Sequence, residues 1–453
     1  MVSAESLLLH STTPMPDSDQ LILFIGKGPS YEQAQAGQYK EATYFLADRP
    51  KETHETPFVA EALVRLTETE FDRVHVLGTS DAMWGLLLAR TGLDVDDAAI
   101  DALVQLEEGT RDSLPAVVRD EIRRAAGEHL GVAVDPHLIP VGRSSDEYWQ
   151  ILDRLAGLDL EAGRVSVDLT HSLRSHPVFL LLALAYFRAV RDGLSLGSVY
   201  YGAYVLADEH FDGQAPIFDL RPMVELLDWI DAAQAFDRYG DGAPLARLLR
   251  DSDAELGDLA QRADYVSRVL QLNTLSKVKA NTRELHSLLA DLPADSPLPL
   301  ELIKPRLERL PKTLQGQAQW EATLTVAEEH WNSYRAGPAV LSTWEAVIER
   351  LGAAFEVDVE AYENHKALAN LATSWNRWGE REEFSEFPDK ASVLRDYRNA
   401  IAHTRQGRDE SFQPNDVYRD FPGLLDYFQS TLKSNALDRI PGVVSLDAFR
   451  YDS

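Results

Sequence analysis

The 453-residue chain contains no cysteine, which excludes disulfides, thiolate zinc sites and cysteine nucleophiles. That absence suits a reducing compartment, and a cytoplasmic location is expected. Positive charge is scarce as well. Lys and Arg number 44 against 73 Asp and Glu, a formal net charge of −29, and only ten of the basic residues are Lys. Such acidity opposes long-range attraction of nucleic acid. Stable DNA binding is therefore not expected, and any RNA contact must come from a local basic cluster. Long apolar runs are missing too. The longest, Val178 to Val190 with Arg188 inside it, falls short of the roughly 20 residues of a membrane span, which predicts a buried helix and no membrane partner. Residues 1–19 lack the basic start and apolar stretch of a signal peptide and read as a flexible tail.

What is present is the composition of a packed protein, 45% hydrophobic and long enough for two or three domains. From 20 to 220, short apolar runs alternate with helical patterns. Leu21–Ile25, Tyr39–Phe45, Arg73–Leu77, His137–Val141, Arg164–Asp168, Ser198–Val205 and Pro216–Leu220 read as strands. Helices are expected from Thr56-Pro57 (Thr as cap, Pro at the first helical position), at Met83–Leu88, Ala98–Gln105, Leu114–Gly127 and Asp146–Leu155, and from Pro177. The alternation predicts a doubly wound, Rossmann-like parallel sheet. After Leu220 the pattern is helical only: Met223–Tyr239, Leu245–Leu256, Ala260–Leu288, Leu300–Leu310, Ala318–Ala336, Ser342–Phe355, Tyr362–Trp378 and Lys390–His403. The fold class is thus α/β followed by all-α, with a boundary near 220. Six of the eight Trp lie in the helical part, where aromatics at helical spacing are mostly core.

Ligands of doubly wound sheets bind beyond the C-terminal strand ends. Three loops qualify: Gly26-Lys27-Gly28, Gly78-Thr79-Ser80, and Thr170-His171-Ser172-Leu173-Arg174-Ser175. Glycine exposes backbone N–H groups, and the Thr, Ser, Lys and Arg side chains add donors, a set suited to phosphates or nucleobases. Tight turns would account for the same Gly and Ser. A dinucleotide fold is disfavoured because Gly26-Lys27-Gly28 lacks a third glycine at the required spacing.

Near the C-terminus, Asp389 can cap a helix on which Val393, Leu394, Tyr397, Ala400 and Ile401 share an apolar arc. Arg395, Arg398, Asn399 and His403 fall opposite. Forked Arg donors fit phosphate oxygens and His titrates near neutrality, so the pair suits phosphodiester chemistry, although a solvated helix end would carry similar residues. Arg398 and His403 lie about 140° apart around the helix. One helix aims them poorly at a single phosphate; a second copy across a two-fold axis would bring both into one cleft, a physical reason to expect a homodimer. His330, His365 and Asp358-Val359-Glu360 invite a metal reading, but none has metal-ligand spacing.

Arg398-Asn399-Ala400-Ile401-Ala402-His403 resembles the Arg-x4–6-His signature of HEPN ribonucleases, including the polar residue after the Arg. Upstream, Phe24-Ile25-Gly26-Lys27-Gly28, Tyr39–Tyr44, Thr56-Pro57-Phe58, Leu77-Gly78-Thr79 with Met83-Trp84, Asp168–Ser172 with Arg174-Ser175, and Tyr200-Tyr201-Gly202-Ala203 occur in one order. Together they look like the CARF domain of type III CRISPR-associated accessory proteins, over about residues 20–220; between 240 and 360 the likeness is general only. The resemblance implies a CARF sensor at 20–220 and a helical region 221–453 ending in a HEPN domain. It implies a homodimeric endoribonuclease of antiviral defence that cleaves single-stranded RNA, needs no metal or other cofactor, and is switched on by cyclic oligoadenylate. An even-numbered ring fits a two-fold pocket, so cyclic tetra-adenylate is the expected activator, with hexa-adenylate second. His403 would move protons, Arg398 would hold the phosphorane charge, Asn399 would orient either, and Arg395 and Arg405 would contact RNA. Gly26, Lys27, Gly28, Gly78, Thr79, Ser80, Thr170, His171, Ser172, Arg174 and Ser175 would contact the activator. The alternatives are an oligoadenylate sink or ring nuclease with a vestigial HEPN domain, and an unregulated HEPN toxin-like ribonuclease.

Overall fold

The computed structural model describes residues 18–107, 113–160, 163–171, 173–207, 211–252, 254–374, 384–403, 413–442 and 444–450. It divides into two compact units, Met1–Leu227 and Asp228–Ser453. The first is α/β and the second helical, as the sequence pattern predicts.

The first unit is built on eight strands, β1 (Asp19–Ile25), β2 (Ala42–Leu46), β3 (Arg49–Thr56), β4 (Arg73–Gly78), β5 (Ala133–Leu138), β6 (Gly163–Asp168), β7 (Leu194–Gly202) and β8 (Gln214–Asp219). Their order is β3-β2-β8-β7-β6-β1-β4-β5. Helices α1 (Tyr31–Gln35), α2 (Val59–Leu66), α3 (Trp84–Ala89), α4 (Asp97–Glu107), α5 (Ala116–Leu130), α6 (Ser145–Ala156) and α7 (Ser175–Val190) connect them. Central β1 is apolar from Leu21 to Ile25 because both its faces are covered. Leu21, Leu23 and Ile25 join a core with α1 to α5, while Ile22 and Phe24 pack with residues of α6 and α7.

The sheet is mixed rather than wholly parallel. β7 and β8 pair antiparallel, as do β2 and β3. A parallel return needs a crossover of a dozen or more residues, and only Ala47 and Asp48 link β2 to β3. Strand β3, Arg-Pro-Lys-Glu-Thr-His-Glu-Thr, carries no apolar alternation, so periodicity could not reveal it. Thr56 accordingly ends a strand instead of capping a helix; α2 starts at Val59 and Phe58 caps it without a side-chain hydrogen bond. Helix α7 is buried on one face only. Leu180, Ala183, Leu184 and Phe187 are buried, whereas Val178, Leu182, Tyr186 and Val190, four residues apart, stay 57–62% exposed.

The second unit begins within α8 (Arg221–Tyr239) and continues through α9 (Ala243–Ser252), α10 (Gly257–Gln271), α11 (Val278–Ala290), α12 (Leu298–Leu307), α13 (Arg309–Leu314), α14 (Gln319–Asn332), α15 (Ala336–Phe355), α16 (Tyr362–Ala372), α17 (Phe387–His403) and α18 (Pro414–Thr431). One core joins residues of α8 to α14; a second joins α14 to α18 and the segment after them. The expected helix Ala260–Leu288 is broken where Asn273 turns to φ +56°. Tyr334, at φ +58°, likewise separates α14 from α15. Trp229 and Trp344 are buried and Trp320 and Trp331 partly so, in line with a packing role; Trp375 and Trp378 lie outside the described residues.

Candidate functional site

In the first unit, β6, β1 and β4 are adjacent and parallel, with Ile25 opposite Gly78 and Leu23 opposite Asp168. The three sequence-selected loops therefore leave the sheet side by side at its C-terminal edge. The first two are tied together. Met83 N–H donates to Gly26 O at 2.9 Å, Lys27 forms a bridge with Ala82, and Trp84 Nε1 donates to Thr79 O at 2.9 Å. A Cβ on Gly28 would sit 2.7 Å from Met83 Cβ, and one on Gly78 2.5 Å from the Trp84 ring, so close packing alone requires glycine at both. Lys27, exposed, faces Asp81 at 3.7 Å, and Thr79 Oγ1 donates to Asp81 Oδ1 at 2.6 Å. Those bonds hold the Asp81 carboxyl below its usual range. Asp81 is a carboxylate set among anion-binding candidates, and the sequence reading overlooked it.

Beneath the third loop, Asp168 is fully buried. Its Oδ1 accepts from the backbone N–H of Thr170 at 3.0 Å and from the Thr170 hydroxyl, while Oδ2 has no partner. Burial pushes this carboxyl up to about 7. Thr170 Oγ1 in turn accepts from Gly202 N–H at 2.8 Å, so its hydroxyl serves the fold. His171 lies against Gly26; its Nε2 is buried without a partner, and burial pulls its titration down to about 4. Arg174 and Ser175 stand exposed at the N-terminus of the 16-residue α7, where backbone N–H groups can meet an anion. Ser172 lies outside the described residues.

In the second unit, α17 runs from Phe387, so Asp389 sits inside its first turn instead of capping it. Phe387, Ala391, Leu394 and Tyr397 form the buried face. Val393, expected on the apolar arc, is 39% exposed because it falls beyond the edge of that face. The Tyr397 hydroxyl donates to Asp420 Oδ2 at 2.7 Å and pins α17 to α18. Arg398 and Asn399 are half-buried, and Arg398 Nη1 donates to Asn399 Oδ1 at 3.2 Å. Arg398 Nε is buried without a partner. Arg395 donates to Thr373 Oγ1 at 2.9 Å, tying α17 to the end of α16. The backbone at His403 closes the helix; the side chain of His403 and the whole of Arg405 lie outside the described residues.

Arg398 lines a cleft of about 720 Å³ together with Gln319, Glu345, Glu349, Glu360 and His365. His365 Nε2 lies 3.0 Å from Glu345 Oε2. Glu349 Oε2 is buried and unpartnered, and burial, with help from Glu345, pushes its carboxyl up. These residues come from α14, α15 and α16 and the turn between the last two, so sequence spacing cannot gather them. One signal was available: Glu345 and Glu349, one turn apart, interrupt the apolar helix α15. His330 is a buried core residue. Among the described residues no cluster of His, Asp and Glu is arranged to hold a metal ion, and no helix is long and apolar enough to cross a membrane.

Residues 225–317 match the family described as CRISPR-associated protein MJ1674, second domain. CRISPR-associated protein MJ1674 of Methanocaldococcus jannaschii is 24% identical over 429 residues, covering 89% of this chain. The chain spans 65% of that relative's length. It is therefore homologous to a CRISPR-associated protein.

Proposed function

We propose that the chain is a homodimeric endoribonuclease of CRISPR defence, activated by cyclic oligoadenylate bound at the loops after β1, β4 and β6. Arg398 carries the reading. The residue is half-buried, donates from Nη1 to Asn399 and lines a cleft of about 720 Å³, room enough for a nucleotide, while its Nε is buried without a partner. RNA brings its own nucleophile, the 2′-OH. Catalysis then needs proton transfer and stabilisation of a charge-rich phosphorane, roles within reach of His403 and Arg398. The adjacency of the three loops supports an anion sensor in the first unit, with Lys27, Arg174 and the α7 N-terminus as donors. The exposed stripe on α7 supports pairing of two copies, since four large apolar side chains in register favour a partner over water. The relative's association with CRISPR supports the setting.

The test is RNA cleavage by purified protein with and without synthetic cyclic tri-, tetra- and hexa-adenylate. Cleavage that appears with cyclic tetra-adenylate supports the reading. No cleavage with any ring, despite measurable ring binding, would favour a sink or adaptor. Cleavage equal with and without rings would favour an unregulated ribonuclease.

A further inference from the structure

Cleavage by 2′-OH attack moves two protons. One leaves the 2′-oxygen as its bond to phosphorus forms, and one reaches the 5′-oxygen as the P–O5′ bond breaks. Arginine stays charged and supplies neither proton transfer. Position 403 lies about 140° further round α17 than position 398, so the helix does not direct both positions of one copy to the same side. Among the described residues, the imidazole that shares the cleft with Arg398 is His365.

His365 is anchored but open. Its Nε2 is 3.0 Å from Glu345 Oε2, and the two side chains keep 32% and 38% of their surface exposed. A carboxylate on one ring nitrogen fixes the ring's orientation and leaves Nδ1 for a ligand. The backbones carrying the pair are rigidly packed: Ile348 and Leu351 on α15 and Leu368 on α16 are fully buried. Glu349, one turn beyond Glu345, lines the same cleft, and burial pushes its carboxyl up.

We propose that His365, held by Glu345, is a second proton-transfer residue of this cleft and protonates the 5′-oxygen leaving the scissile phosphate. The inference rests on the ribonuclease reading above. As O2′ gives its proton to a base, the part the ribonuclease reading leaves to His403, and bonds to phosphorus, the P–O5′ bond breaks and its electron pair takes the proton from His365 Nδ1. The products are a 2′,3′-cyclic phosphate and a 5′-hydroxyl, with no change in oxidation state. Glu345 is a positioning residue.

The experiment uses the full chain, saturating cyclic tetra-adenylate and an RNA with one scissile site, made with either a normal 5′-oxygen or a bridging 5′-sulfur. A thiolate leaves without needing a proton, so the sulfur substrate bypasses a missing acid. His365→Gln, which can still donate to Glu345, and His365→Asn should lower kcat on normal RNA about 100-fold or more, with KM within about threefold. Both should cleave the sulfur substrate at close to the wild-type rate. Glu345→Gln should show a smaller loss with the same rescue. Wild-type rates on normal RNA, or an equal loss on both substrates, would overturn the assignment. Loss in Arg398→Ala with none in His365→Gln refutes His365 alone; wild-type rates in Arg398→Ala refute the ribonuclease reading itself. Melting curves matching wild type for at least one His365 variant keep a folding defect from imitating the result.

Discussion

Replacing Asp168 with Asn should make the protein gain stability relative to wild type as pH rises from mild acid through neutrality. The carboxyl is fully buried, Oδ2 has no partner, and burial lifts its titration to about 7. In the unfolded chain an Asp titrates near about 3.9. Between the two values the folded protein holds a proton that the unfolded chain has released. Stability therefore falls as pH rises through that window and levels off above about 7. The gap is about 3 units, from about 7 less about 3.9, which at about 1.4 kcal/mol per unit gives an upper bound of about 4 kcal/mol. Asn keeps the acceptor for Thr170 and never ionises. It also adds an N–H where Oδ2 lacked a partner, a cost of about 1–3 kcal/mol that does not vary with pH. The slope is thus the test, and the offset is not. Thermal melts at constant ionic strength from pH 5 to 8.5 should show the Asn variant gaining on wild type by several degrees as pH rises, at about 2–4 °C per kcal/mol. A difference that stays constant across the range would refute a raised Asp168.

Arg398→Ala and His403→Ala should each abolish RNA cleavage while leaving melting and dimerisation as in wild type; full activity in either would make that residue dispensable. Cleavage should survive EDTA and leave 2′,3′-cyclic phosphate ends, which mass spectrometry of the products checks. Arg174→Ala should raise the cyclic tetra-adenylate concentration for half-maximal activation about tenfold, the equivalent of about 1.4 kcal/mol, and Lys27→Ala by less because Lys27 is exposed and already shared with Asp81. Neither should reduce cleavage at saturating ring. Leu182→Glu, in the middle of the α7 stripe, should shift the protein from dimer to monomer in light scattering; an unchanged mass would move the interface elsewhere.

The two-part architecture was legible because its signal is local. Apolar runs such as Leu21–Ile25 and the helical periods after Leu220 each reflect one element's own burial. The loops at Gly26, Gly78 and Thr170 could be ranked together because parallel strands deliver their C-terminal ends to one edge. Strand β3 was invisible because a polar edge strand owes its pairing to its neighbour β2 and not to its own pattern. The break at Asn273 depends on a single backbone angle that apolar periodicity does not encode. Arg398 announced itself through a motif, whereas His365, Glu345 and Glu349 reach its cleft from other helices. The requirement for glycine at Gly28 and Gly78 arises from Met83 and Trp84, contacts that exist only in the folded chain.

Both margins of the sheet carry a proline: Pro50 in β3 and Pro136 in β5. Proline has no amide hydrogen to offer an incoming strand, and β3 adds Arg49, Lys51, Glu52 and Glu55 along the same margin. Neither border welcomes a further strand, from a neighbouring molecule or from an unfolding copy of the same chain. At high concentration that protects the fold, because an open sheet edge is a ready template for aggregation. Any attachment is left to the helical flanks, where side-chain fit, and not generic backbone pairing, decides the partner.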